Sequence, residues 1–112
     1  MADNLPDRTS SGRLMVISHV QVKPGKEARF EELAIASRIS ASSDKEPGTL
    51  TYRVTRVVDN NAQPIPGKYL AIEEYAGKPE LLQHFQTPAQ QELMKEASDL
   101  IESNTLEIID EF

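Results

Sequence analysis

One ten-residue segment, TLTYRVTRVV from Thr49 to Val58, constrains the fold more than any other part of the sequence. Its residues alternate between two faces, and most of them are β-branched or aromatic, which is typical of a β-strand. Apolar residues occur on both faces of this predicted strand, so both faces are expected to be covered in the folded protein.

Two further segments show the same period of two and are predicted strands, Leu14 to Lys23 and Lys68 to Tyr75, and the segment from Leu106 to Phe112 is predicted to be the closing strand. A period of 3.6 residues predicts a helix from about Lys26 to Ser43. A second helical region follows the third strand and is broken at Thr87, where Thr87 is an N-cap and Pro88 takes the first helical position. Ile101 falls on the apolar stripe of the second half of this helical region.

The order of these elements is β-α-β-β-α-β, which predicts an α+β fold of the ferredoxin-like type. Helices are expected to cover one face of a four-stranded antiparallel sheet. Residues 1–13 are expected to form a flexible tail and residues 14–112 the folded domain. The segment from Asp59 to Gly67 contains two prolines and is predicted to be a long loop.

The face of the sheet away from the helices also carries apolar residues, so a bare sheet would expose them to water. A symmetric homodimer, in which a second sheet packs against the first, is the simplest arrangement that covers this face. The small aromatic content, 5% of 112 residues, points the same way, because burial against a second copy would enlarge the core.

Composition excludes several classes of function. The net charge of −6 argues against nucleic acid or an anionic membrane as a partner. The chain has no cysteine, so disulfides, thiolate metal sites and cysteine nucleophiles are excluded. No apolar run approaches the ~20 residues of a membrane span, and the segment MADNLPDRTSSGR has no apolar stretch typical of a secretory signal, so the cytoplasm is the expected location.

Four segments, taken in order, resemble the antibiotic biosynthesis monooxygenase family of dimeric α+β barrels: VKPGKEARFEEL, EPGTLTYRV, EEY and LLQHFQTP. The resemblance extends over about Leu14 to Phe112. It implies a pocket between sheet and helices in each subunit, and a barrel formed by the two sheets of a dimer. Relatives oxygenate phenols, anthrones or quinols with molecular oxygen and no cofactor, whereas others degrade haem or act on small carbonyl compounds.

The haem-degrading relatives place an Asn, a Trp and a haem-binding His at positions that correspond here to Ser18, His84 and Met94. All three residues depart from that pattern, so the resemblance does not extend to haem degradation.

Oxygenation without a cofactor needs a base that removes a proton from the substrate, polar groups that hold the resulting anion, and a dry pocket. His84 is the first candidate for the base, because histidine exchanges protons readily near neutral pH. The competing interpretation is that His84 packs at a helix edge and serves structure alone. His19 is a weaker candidate, because it lies on the face expected to be an interface.

Glu73 and Tyr75 share one face of a predicted strand and are candidates to orient the substrate or the histidine. Glu73 alternatively pairs with Arg53, since a buried carboxylate needs a partner. The residues expected to line a pocket are Ser18, Tyr52, Phe85 and Met94. The turn at Glu46-Pro47-Gly48 is expected to serve structure.

The sequence therefore predicts a homodimeric, cofactor-independent monooxygenase that oxidises a small apolar phenol, quinol or similar enolisable substrate with molecular oxygen. An aliphatic or oxylipin acid remains an alternative substrate. Two other functions stay open: an isomerase or lyase that acts on a small carbonyl compound, and a non-catalytic ligand-binding or stress-related barrel. The sequence has neither a metal-ligand spacing nor a glycine-rich phosphate loop.

Overall fold

The computed structural model describes residues 4–112. Its elements follow in the order β1 (Leu14–Val22), α1 (Glu27–Ala41), β2 (Thr49–Val58), β3 (Pro64–Tyr75), α2 (Lys78–Phe85), α3 (Pro88–Leu100) and β4 (Ile101–Ile109). The strands form one antiparallel sheet in the order β2-β3-β1-β4, and this arrangement confirms the predicted ferredoxin-like fold.

Alternation along β1 decides which side of the sheet is covered. Leu14, Val16, Ser18, Val20 and Val22 are all buried under the helices, whereas the residues between them are partly buried or exposed. The core has two parts on this helix side. One lies around Phe30 of α1 and the other around Leu81 of α2.

Thr87 caps α3 as the sequence predicts: its side chain accepts a hydrogen bond from the backbone N–H of Gln90, and Pro88 begins the helix. The short α2 and the longer α3 therefore meet at a defined break. This break lets the two helices cover different parts of the sheet.

The predicted loop from Asp59 to Gly67 is wrong in its extent, because β3 begins at Pro64. Pro64 pairs with Val58 beyond the end of β1, so this part of β3 has β2 as its partner. Proline is tolerated in such a segment because the backbone N–H that it lacks is not needed on the open side. The connection itself is a short turn in which the side chain of Asp59 accepts two backbone hydrogen bonds.

The prediction for the last strand is also wrong in position: β4 runs from Ile101 to Ile109 and ends before Phe112. It starts directly after α3 and pairs with β1 from Val22 to Met15. Ile101 therefore belongs to the strand and not to the helix stripe. The polar segment ESNT forms a strand because pairing with β1 satisfies its backbone, whatever its side chains prefer.

Part of the predicted tail contacts the domain. Arg8 Nε donates to the carbonyl of Ala76 at 3.1 Å, and the backbone N–H of Ser11 donates to Asp110 Oδ1 at 3.1 Å. Residues 1–3 lie outside the described residues, and the flexibility of the tail stays a prediction. No helix in residues 4–112 has the length and apolar character needed to cross a membrane. The cytoplasmic location stays a prediction as well.

Candidate functional site

His84 lies in the interior of the protein, on the face of α2 that packs against the sheet. It is 1% exposed and shares this face with Leu81, one turn earlier. Its Nδ1 lies 2.6 Å from Oε1 of Glu46, which is itself 2% exposed. A histidine held at one nitrogen by a buried carboxylate has a fixed ring orientation, as in catalytic triads.

Glu46 also belongs to the site, although the sequence predicts only a structural turn at Glu46-Pro47-Gly48. Its carboxylate also accepts hydrogen bonds from Ser40 Oγ at 2.7 Å and Thr49 Oγ1 at 3.0 Å. The neighbouring Gly48 allows α2 to approach, since a Cβ there would lie 2.1 Å from Glu80 Cγ. Glu46 and His84 are far apart in sequence, so no local pattern reveals the pair.

Aromatic rings surround the imidazole of His84. The ring centroids of Tyr52, Tyr75 and Phe85 lie 4.7, 5.8 and 6.3 Å from it. No group among residues 4–112 forms a hydrogen bond with His84 Nε2, although this atom is buried. A buried polar atom without a partner costs on the order of 1–3 kcal/mol, so a hydrogen bond from Nε2 to a bound molecule would be favourable.

Glu73 and Tyr75 form the second polar pair of this region, and Tyr75 Oη donates to Glu73 Oε1 at 2.6 Å. Burial raises the pKa of Glu73 to about 7, and the hydrogen bond from Tyr75 lowers it only in part. Glu73 is therefore a carboxyl group that exchanges a proton near neutral pH. Arg53, considered as its partner, aligns with Ile72 on the opposite face of the sheet, so that pairing is wrong.

Tyr52 connects the two pairs. It is aligned with Glu73 across β2 and β3, and its ring packs on His84. Burial raises the pKa of the Tyr52 hydroxyl, and the charge of Glu73 raises it further. The phenol therefore stays protonated and is able to donate a hydrogen bond. We refer to His84, Glu46, Tyr52, Glu73 and Tyr75 as the His84 cluster.

A separate groove lies between α1 and the β2–β3 half of the sheet, with a cavity volume of about 170 Å³. We call it the α1 groove. Most of its lining is apolar: Val20, Phe30, Ala34, Ile35, Val54, Tyr69, Leu70 and Ala71. The aligned pair of Val54 and Ala71 is followed on the same face by the pair of Tyr52 and Glu73. The groove thus ends next to the His84 cluster, while His84 itself lies behind Tyr52.

Charged groups line the α1 groove at two places on α1. The carboxylate of Glu31 accepts a hydrogen bond from Arg56 Nε at 3.1 Å. It accepts another from the hydroxyl of Tyr69. These donors hold the pKa of Glu31 below its ordinary value, with Arg56 as the larger cause. Arg38, two turns further along α1, is exposed and lines the other part of the groove.

The remaining predicted residues lie in different surroundings. Ser18 is buried and its hydroxyl donates to Asn104 Oδ1 at 2.9 Å. Phe85 packs with the part of the core that contains Tyr75 and Leu81. Met94 is 51% exposed on α3, so the chain by itself does not bring it to the cluster. His19 lies on the open face of the sheet, with Nε2 at 3.1 Å from Glu107.

The residues from 4 to 112 contain no grouping of three or more histidine and carboxylate side chains with the proximity needed for a metal ion. The His84 cluster contains acids, a base and hydroxyls. These groups are suited to proton transfer and to holding an anionic oxygen.

Solved structures share this fold at low sequence identity. A Pseudomonas aeruginosa protein matches with a TM-score of 0.77 and 17% identity, over 93% of this chain and 98% of that one. A Caulobacter crescentus protein, provisionally named an antibiotic biosynthesis monooxygenase, has a TM-score of 0.75 and 24% identity, over 90% of this chain and 91% of its own. A similarly named Nitrosomonas europaea protein has a TM-score of 0.75 and 18% identity, over 88% of this chain and 98% of its own.

No curated protein matches the sequence. The sequence profile of the antibiotic biosynthesis monooxygenase family, in contrast, matches residues 13–96. This range contains β1, the helix α1, the β2–β3 pair and every residue of the His84 cluster. It confirms the resemblance carried by the four sequence segments. On the extent of that match, the chain belongs to the antibiotic biosynthesis monooxygenase family.

Proposed function

We propose that the protein is a cofactor-independent monooxygenase that oxidises a small apolar substrate with an acidic hydroxyl or enolisable carbon. Membership of the family and the fold support a monooxygenase-like role. The substrate occupies the α1 groove, with its reacting end toward Tyr52 and Glu73. His84 is the base, and Glu46 holds its ring.

The observation that carries this proposal is the free Nε2 of the buried His84, opposite an Nδ1 held by Glu46. If Nδ1 carries the proton that it donates to Glu46, Nε2 presents a lone pair and is ready to accept a proton. The cost of an unpaired buried nitrogen favours a role in which Nε2 bonds a substrate or ligand over a role in packing alone.

The other residues near His84 orient the substrate, relay its proton and enclose the site. Glu73 and Tyr75 orient the acidic group of the substrate, and Glu73 relays its proton toward His84. Tyr52 faces the end of the α1 groove, and Phe85 forms the wall behind His84. The surrounding apolar core keeps water away from the anion once it has formed.

In the proposed reaction, a phenol or quinol loses its proton to Glu73, which passes it on to His84, and the substrate becomes an anion. The anion gives one electron to molecular oxygen, and the resulting radical pair forms a carbon–oxygen bond. Loss of one water from the peroxide, with the proton returned by the base, leaves a carbonyl on the substrate. Both oxygen atoms are accounted for, one in the product and one in water.

We further propose that the protein is a homodimer that covers the open face of the sheet. Apolar residues on this face, among them Ile17 and Ile72, lie beside a concave region of about 410 Å³ that includes His19 and Leu70. A second sheet packed here would remove these apolar side chains from water. Sedimentation equilibrium at micromolar concentration tests this part, and a monomer would overturn it.

The enzymatic part is tested by oxygen consumption with a panel of phenols, anthrones and quinols. We expect at least one substrate to be turned over, and we expect His84→Gln to lower kcat by about 10²- to 10⁴-fold. His19→Gln is the second histidine variant, and because His19 lies on the face proposed as the dimer interface, its oligomeric state is measured together with its turnover.

Glu46→Gln provides a second variant in case His84→Gln fails to fold. It keeps an acceptor for His84 but removes the carboxylate that stabilises a protonated imidazole, so kcat is expected to fall while the fold persists. Circular dichroism verifies folding of each variant. Unchanged turnover in a folded His84→Gln protein, or no oxygen uptake with any member of the panel, would refute the proposal.

A further inference from the structure

We infer that Arg38 binds the carboxylate of the ligand, so that the α1 groove selects apolar carboxylic acids over neutral molecules of the same shape. This inference rests on the proposed function in one respect, namely that the α1 groove is the substrate site. It narrows the substrate class from apolar phenols or enolisable compounds to those that also carry an acid group.

Arg38 is the cation of the groove whose charge is not balanced. The other arginine of the lining, Arg56, is paired with Glu31. On the same helix, Arg29 contacts both Glu32 and Glu96. Within residues 4–112, the guanidinium of Arg38 has neither a hydrogen bond nor an ion pair. The groove therefore presents an excess positive charge, although the whole chain carries a net charge of −6.

The position of Arg38 fits a role at the end of a bound molecule. Glu31, Ala34, Ile35 and Arg38 all line the groove and form one stripe along α1. At 1.5 Å per residue, Glu31 and Arg38 are separated by about 10 Å along the helix axis. An apolar body that packs on Ala34 between these two charges would place an acid group beside Arg38.

Arg38 is also next to the His84 cluster in the fold. The preceding residue, Ser37, is buried, its hydroxyl donates to Gln90 at 2.9 Å, and it interacts with the hydroxyl of Tyr52. A ligand whose carboxylate contacts Arg38 at the exposed rim would thus bring the groups next to that carboxylate toward Tyr52 and Glu73. A substrate with a carboxylate beside the reacting hydroxyl fits both requirements.

The chemistry of the guanidinium favours a carboxylate. Its planar N–H groups match the two oxygens of a carboxylate and form a bidentate pair. A volume of about 170 Å³ is smaller than that of typical drug-sized pockets, so the groove suits a compact ring system or a short chain. The positive charge at the rim would also attract anionic ligands from solution.

The test is the binding of 1-hydroxy-2-naphthoate, followed by its fluorescence under nitrogen so that no oxidation occurs. Methyl 1-hydroxy-2-naphthoate is the neutral counterpart of the same shape. We expect the acid to bind the wild-type protein at least fivefold more tightly than the ester. We expect Arg38→Gln to weaken binding of the acid by about five- to tenfold and binding of the ester by less than twofold.

Two further variants separate recognition from a general charge effect. Arg38→Lys keeps the charge without the planar donors and is expected to restore binding in part. Lys26→Gln removes the same charge at the other end of α1, outside the groove lining, and is expected to leave binding unchanged. His84→Gln should also bind the acid like the wild-type protein, because His84 does not line the groove.

The inference is overturned if the wild-type protein does not bind the acid, if Arg38→Gln binds it normally, or if acid and ester lose affinity equally. These results are independent of oxygen consumption. Arg38-dependent binding without turnover of any substrate would support the binding inference while refuting the proposed oxygenase. Turnover that is unaffected in Arg38→Gln would support the proposed oxygenase and refute the role of Arg38 in binding.

Discussion

The His84 cluster and the α1 groove lie side by side on the helix side of the sheet, yet they differ in accessibility to water and in polarity. The cluster is closed, and its His84 and Glu46 are nearly inaccessible to water. The groove is open, mostly apolar and bordered by charged side chains that reach solvent. The aligned residues of β2 and β3 connect the two regions.

This difference indicates a division of tasks. Proton transfer benefits from fixed geometry and the absence of water, and the cluster has both. Binding of a substrate requires an entrance and surface complementarity, and the groove supplies these. The two regions are therefore expected to respond differently to mutation. Changes in the cluster should affect stability and catalysis, whereas changes in the groove should affect ligand affinity.

The largest effect is expected for Glu46→Ala. It removes the acceptor of three side-chain donors at once and leaves the buried His84 without a partner at either nitrogen. Loss of one member of a buried pair typically lowers the free energy of unfolding by about 3–5 kcal/mol. Urea denaturation measures this loss. A change below about 1 kcal/mol would show that the pair contributes little to the fold.

A second comparison contrasts one leucine of the core with one isoleucine of the groove. Leu81 is 1% exposed, so Leu81→Ala is expected to lower the free energy of unfolding by about 2–5 kcal/mol. Ile35 lines the groove and is 42% exposed, so Ile35→Ala should change it by less than about 1 kcal/mol. Equal losses in the free energy of unfolding, measured by urea denaturation, would contradict the distinction between the closed interior around His84 and the open groove.

The third prediction concerns the pH dependence caused by Glu73. Its pKa in the folded protein is raised to about 7, above the ordinary value of 4.5, so the folded state holds a proton that the unfolded state has lost. The free energy of unfolding therefore falls as the pH rises from about 4.5 to 7, by at most on the order of 3 kcal/mol.

Glu73→Gln removes this titration. The variant is expected to gain stability relative to the wild-type protein between pH 5 and pH 8, as measured by urea denaturation at both values. Glu74→Gln is the control, since its neighbour Glu74 lies on the other face of the strand. Parallel pH profiles for Glu73→Gln and wild type would refute a raised pKa at this position.

The smallest effect is expected at the far end of the groove. Tyr69→Phe removes the hydrogen bond to Glu31 but keeps the ring, which packs 4.7 Å from Phe30. The free energy of unfolding should fall by about 1 kcal/mol, and the Kd of the naphthoate should change less than twofold. A much larger change in Kd would place the acid-binding end at Glu31 and Arg56 and not at Arg38.

Local patterns in the sequence predicted most of the fold. Alternation marked β2 correctly, and Thr87 with Pro88 marked the break between α2 and α3. The errors occurred where pairing between strands overrides local preference: Pro64 begins a strand, and the polar start of β4 pairs with β1. Such pairings depend on residues that are distant in the sequence and leave no local signal.

The candidate site was predictable only in part, for the same reason. His84 could be selected from the sequence by its residue type and its place after Leu81 on a helix face, and Glu73 and Tyr75 by their alternation on one strand face. Glu46 could not be selected in this way, because its role depends on a contact with a residue 38 positions away. The separation between His84 and the α1 groove is likewise a property of packing, since neither helix periodicity nor strand alternation records which neighbours form a cavity.

The most direct test of the division of tasks is one kinetic comparison, made with whichever hydroxylated aromatic acid the protein oxidises fastest. Oxygen consumption is measured over a range of substrate concentrations for wild type, His84→Gln and Arg38→Gln. We predict that His84→Gln lowers kcat by about 10²-fold or more with little change in KM, and that Arg38→Gln raises KM by about five- to tenfold with little change in kcat. Equal effects of both variants on the same parameter, or full activity of a folded His84→Gln protein, would contradict the account.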